Sequence, residues 1–102
     1  MGLDQWIKTK QKMSYSTEIA YWRKQYVIQD WMKQLWFDRG NPDNEAFNGV
    51  EVDLSLNDLN AFRKSMKGIF IPEYCDEFIF PFIREAKRAI KDGYEVYYIC
   101  SW

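Results

Sequence analysis

The chain has 102 residues, which suits one domain and leaves no room for a second full one. At 47% hydrophobic and 19% aromatic it is far from the composition of a disordered segment. It contains no histidine, which excludes Ser-His and Cys-His nucleophilic arrangements, and its net charge of −1 is too balanced for a protein that grips duplex nucleic acid through many phosphates.

Leu3 to Lys10 reads as a short strand, with Leu3, Gln5 and Ile7 on one face and Asp4, Trp6 and Lys8 on the other. Ser14 to Thr17 reads as a helix start, with Ser16 or Thr17 as N-cap, Glu18 in the first turn and an apolar periodic run to Phe37 that Gly40 stops. On a helical wheel this segment groups Ala20, Tyr21, Val27, Ile28, Trp31, Met32 and Leu35 on one arc. Lys24 falls in the middle of that arc, where an ammonium must snorkel, pair with an acid or meet an anionic ligand, whereas Arg23 falls on the polar arc. Asp38 to Gly49 is a long loop dense in turn formers.

Val50, Val52 and Leu54 then alternate with charged or polar residues, as in a half-buried strand. Ser55 and Asp58 have the spacing of a capping box, ahead of a helix whose apolar stripe is Leu56, Leu59, Phe62 and Met66 and whose C′ residue is Gly68. After a connector containing Pro72, a third helix is expected from about Phe78 to Asp92, capped by Asp76, with Pro81 in its first turn and Gly93 at its end. Tyr94 to Trp102 closes the chain as an aromatic and β-branched strand. The expected fold is α+β: a small antiparallel or mixed three-stranded sheet packed with three helices, one compact domain over residues 1–102.

Cys75 and Cys100 stand in different segments without a Cys-x-x-Cys pair, so two free thiols in a reducing compartment are expected, a single disulfide between them being the alternative, with no metal and no cofactor. No stretch approaches the roughly 18 apolar residues of a membrane span. Arg63, Lys64 and Lys67 form a basic cluster, and Glu73, Asp76 and Glu77 an acidic one; an outer helix face and helix-dipole complementation account for them. Charge is uneven along the chain: residues 1–37 carry six basic and three acidic side chains, whereas 38–62 carry one basic and six acidic. The closing strand offers aromatic side chains on both faces, Tyr94, Tyr97, Tyr98 and Trp102, of which one face belongs to the core and the other to a stacking platform or an oligomer interface.

Three segments taken together, Met1-Gly2-Leu3-Asp4, Tyr21-Trp22-Arg23-Lys24, and Tyr97-Tyr98 followed by Ser101-Trp102, resemble a family of small, largely uncharacterised bacteriophage proteins. The resemblance covers about half of the chain. It departs between Met66 and Phe78, where many members carry a longer Gly- and Phe-rich hairpin that is shortened here to Gly68-Ile69-Phe70-Ile71-Pro72. It implies a phage protein acting in the host cytoplasm against antiviral defence. The expected role is non-enzymatic: a homo-oligomer that sequesters a small nucleotide immune signal of cyclic-nucleotide or ADP-ribose type. In that role Arg23 and Lys24 meet phosphate, and Tyr21, Trp22, Tyr98 and Trp102 supply aromatic faces. The alternative is a protein that blocks a host protein stoichiometrically, and an enzyme acting on nucleotides is the weakest reading.

Overall fold

The computed structural model describes residues 2–11, 17–41 and 47–102. In chain order the elements are β1 (Asp4–Thr9), β2 (Glu18–Arg23), α1 (Tyr26–Asp38), β3 (Val52–Leu54), α2 (Leu56–Ile69), α3 (Pro72–Tyr74), a π-helical turn (Cys75–Ile79), α4 (Phe80–Lys91) and β4 (Val96–Ser101). The fold is α+β, as expected, but the sheet has four strands, not three, all antiparallel in the order β2-β1-β4-β3.

The additional strand comes out of the segment expected to begin the first helix. Ile19, Ala20, Tyr21 and Trp22 are rich in the side chains that fit a pleated surface, and they pair with β1 so that Trp6 lies opposite Tyr21 and Gln5 opposite Trp22. The register shifts between Ile7 and Lys8, and the extra residue this leaves in β2 lets both Ile19 and Ala20 face the core. The helix begins only after Lys24, whose φ of +57° turns the chain out of the strand. Gln25, not Ser16 or Thr17, is its N-cap; Ser14 and Ser16 lie outside the described residues.

Later elements follow local chemistry more closely. Ser55 and Asp58 form the expected capping box, each side chain bonding the other's backbone N–H. α2 runs through Gly68 to Ile69, so Gly68 is not its C′ residue; Phe70, its C-cap, is extended, and so is Ile71, from which Pro72 excludes helical backbone. The final helix likewise starts earlier than expected, with Pro72 in its first turn, so Asp76 is no cap and lies inside the π-helical turn. That turn, in which the Phe80 N–H donates to the Cys75 carbonyl, is where the helix absorbs Pro81, a residue with no N–H to continue an α-helical ladder.

All three helical bodies cover one face of the sheet. Leu3, Ile7, Trp22, Val52, Val96 and Tyr98 face inward to meet Ile28 and Met32 of α1, Leu59, Phe62 and Met66 of α2, and Ile83 and Ala86 of α4 in a single hydrophobic cluster. Phe47, from the long loop, is buried against Tyr98 and Trp36. The other sheet face carries no helix among the described residues, and Trp6, Lys8, Tyr21, Arg23, Tyr97 and Ile99 point out of it. No helix among the described residues is long and apolar enough to cross a membrane.

Candidate functional site

At one end of the sheet a cleft of about 260 Å³ is lined by Leu3, Tyr26, Gln29 and Trp102. Its walls are set by the turn between β2 and α1. There the Lys24 N–H donates to the Leu3 carbonyl at 2.7 Å, which ties the turn to the start of β1 and delivers Tyr26 to the cleft as the first residue of α1. Gln29 lies three residues further on and therefore on the same helix face. Trp102 is positioned from the other side by Asn48, whose Oδ1 accepts the Trp102 N–H at 3.1 Å while its Nδ2 donates to the Trp102 carbonyl at 3.3 Å. Gly49, at a φ of +77°, makes this Asn-Gly turn possible and donates its N–H to the Cys100 carbonyl.

The site is favourable to anions. α1 has no side-chain cap and no acidic residue in its first turn, so the positive end of its dipole is not neutralised locally. Arg23 and Lys24 immediately precede it, both exposed, and neither forms an ion pair among the described residues. The Arg23 guanidinium lies beside Gly2: a Cβ placed there would stand 3.5 Å from Nη2.

A buried polar bridge holds this end of the fold together. The Gln5 side-chain amide donates to the Gln25 carbonyl at 3.1 Å and to the Tyr98 hydroxyl at 2.8 Å, while its oxygen accepts the Gln25 N–H at 2.9 Å. Gln25 in turn donates to the Tyr74 hydroxyl. Burial pushes the Tyr98 phenol far above the ordinary tyrosine range, and the Cys100 thiol is raised for the same reason. Both stay protonated and serve as structural partners.

Of the six residues expected to touch a ligand, three come to this end of the fold: Trp102 lines the cleft, Lys24 stands at its edge through its backbone bond to Leu3, and Arg23 points out of the open sheet face with its guanidinium beside Gly2. The other three do not. Trp22 is buried, with its indole N–H donating to the Phe78 carbonyl at 3.0 Å and its ring packed edge-on against Phe82. Tyr98 is fully buried under Phe47, and Tyr21 stands on the open sheet face with its hydroxyl donating to Asp4. The reason is the period: a helix would group Tyr21 to Lys24 within one turn, but a strand sends successive side chains to opposite faces. For the same reason Lys24 does not face the core, and its ammonium needs no buried partner. Tyr26 and Gln29 escaped notice because their shared face depends on where the helix begins.

The remaining charged clusters are spread out on the surface. Arg63 stacks its guanidinium on Phe80 at 4.3 Å, Lys64 and Lys67 are exposed, and Glu73, Asp76 and Glu77 point to solvent. Among the described residues no group of three or more Cys, Asp or Glu could hold a metal ion. The chain matches no family model, no curated protein and no solved structure.

Proposed function

We propose that this protein is a non-enzymatic binder that sequesters a small nucleotide, with the base in the cleft between Tyr26 and Trp102 and the phosphates on Lys24. One observation carries the reading: two aromatic side chains that remain 55% and 41% exposed line a single cleft with a carboxamide beside them. The Gln29 amide can both donate and accept, as recognition of a base edge requires. At about 260 Å³ the cleft is smaller than the ~300–1,000 Å³ of drug-sized sites, which suits one base and leaves the phosphates at its lip. The cation at that edge is the exposed Lys24, a group that holds a phosphate rather than transforms it. The bacteriophage resemblance supplies the setting, in which the ligand is a cyclic-nucleotide or ADP-ribose-type signal of host defence and the protein acts in the host cytoplasm.

The test is a thermal-shift screen against cyclic dinucleotides, cyclic trinucleotides and ADP-ribose derivatives, since a ligand that binds only the folded state raises its stability by mass action. One class should raise Tm and be recovered chemically intact. Stacking on an aromatic side chain contributes about 1–3 kcal/mol per base, so Trp102→Ala should weaken that ligand's binding by about ten-fold or more. Lys24→Ala should weaken it and flatten its salt dependence. Absence of any shift, or unchanged affinity in both variants, refutes the reading.

A second reading, stoichiometric blockade of a host protein, is favoured by the exposed side chains of Ile69, Ile71 and Phe78 around the α2–α3 connection. It predicts a protein partner whose capture is lost on Ile71→Glu and is indifferent to Trp102→Ala.

A further inference from the structure

Antiparallel sheets with one bare face ordinarily turn polar side chains to water. Here the outward positions of the three longer strands carry Trp6, Tyr21, Tyr97 and Ile99, with Tyr21 45% exposed. The Trp6 ring is covered in part by Tyr21 at 5.6 Å and by the Lys8 ammonium at 5.2 Å, the Lys10–Asp53 ion pair spans β1 and β3 beside Tyr97, and no helix among the described residues packs on this face.

The register orders these residues in rows across β2, β1 and β4. The middle row is Tyr21–Trp6–Ile99, the row on one side is Glu18–Lys8–Tyr97, and the row on the other is Arg23–Asp4–Ser101. The middle row has no charge, and the flanking rows carry opposite charges at corresponding positions. We infer that this face is the two-fold interface between two copies of the chain, with the axis running along the Tyr21–Trp6–Ile99 row. That operation exchanges the flanking rows. It sets Lys8 on Asp4 of the second copy and Arg23 on Glu18 of the second copy, each contact made twice, and stacks the aromatic row on itself.

The register also rejects the other simple choice. An axis running along β1 would place Lys8 on Lys8 and Asp4 on Asp4, and like charges in apposition weigh heavily against an interface. With the axis across the strands, the strand directions of the two sheets stay aligned, as they are in sandwiches whose faces pack at about 10 Å. The face is three six-residue strands wide, small beside a standard interface of about 1,600 Å², so the dimer should dissociate in the micromolar range.

Sedimentation over a concentration series tests this. The wild-type protein should pass from monomer to dimer, and Ile99→Glu should remain monomeric while still folded by circular dichroism. Lys8→Asp, which sets an acid against Asp4 of the second copy, should raise the dimer dissociation constant by about ten-fold or more. Adding Asp4→Lys to Lys8→Asp should restore it. If Ile99→Glu does not fold, the Lys8 variant and its rescue decide alone. A wild-type protein that stays monomeric up to about 100 µM, or a dimer indifferent to the Lys8 and Ile99 changes, overturns the inference.

Discussion

Gln5→Leu should cost this protein about 2–4 kcal/mol, because a side chain of similar bulk would leave the buried Tyr98 hydroxyl and the Gln25 N–H without their partner, while the Gln25 carbonyl keeps the Gln29 N–H at 3.1 Å. Each unsatisfied buried group costs about 1–3 kcal/mol, and partial relaxation keeps the total below their sum. A domain near this length loses roughly 4–8 °C of Tm per kcal/mol, so a drop of about 8–32 °C is expected in a thermal melt. The effect reaches function as well: Gln5 ties β1 and β4 to the residue that starts α1, and Tyr26 enters the cleft from that start. A Tm within about 5 °C of wild type would show that the bridge does not hold the sheet to the helix.

Trp22→Ala is the second large effect, about 3–5 kcal/mol from the cavity left in the core and from the Phe78 carbonyl losing its indole donor. Against a total stability of about 5–15 kcal/mol for a domain of this length, either substitution is severe. The accompanying expectation separates packing from recognition. Trp22 does not line the cleft, so the folded fraction of Trp22→Ala should keep wild-type nucleotide affinity, whereas Trp102→Ala should keep its stability and lose affinity. Denaturant unfolding paired with a ligand titration on each variant reads both quantities, and the reverse pattern would return Trp22 to the binding site.

The elements legible from sequence are those written in local chemistry. The alternation of β1 and β3 and the Ser55–Asp58 capping box each depend on a few neighbouring residues, and each stands where the pattern places it. β2 was hidden because its bulge turns Ile19 and Ala20 to the same side, which removes the period-two signature, and because α1 follows after only Lys24 and Gln25, so that strand and helix read as one periodic run. The π-helical turn was hidden for a similar reason: Pro81 looks like the first turn of a helix that in fact begins at Pro72.

The site divides along the same line. Arg23 and Lys24 stood out as cations beside aromatic residues in what reads as a helix interior, and Trp102 as an aromatic residue of the closing strand; that Lys24 is the turn between a strand and a helix was not legible. The burial of Trp22 and Tyr98 is fixed by Phe82, Phe47 and Gln5, partners distant in sequence. Tyr26 and Gln29 become visible only once Lys24 is known to be a turn.

The central claim is that a nucleotide base enters the cleft between Tyr26 and Trp102, and the most direct measurement is an amide and indole NMR titration with the nucleotide that most raises Tm. Perturbations should centre on the backbone of Leu3, the Tyr26 and Gln29 amides and the indole N–H of Trp102, with Lys24 shifting with the phosphates. Perturbations centred instead on Trp6, Tyr97 and Ile99 would place the ligand on the open sheet face and contradict the account.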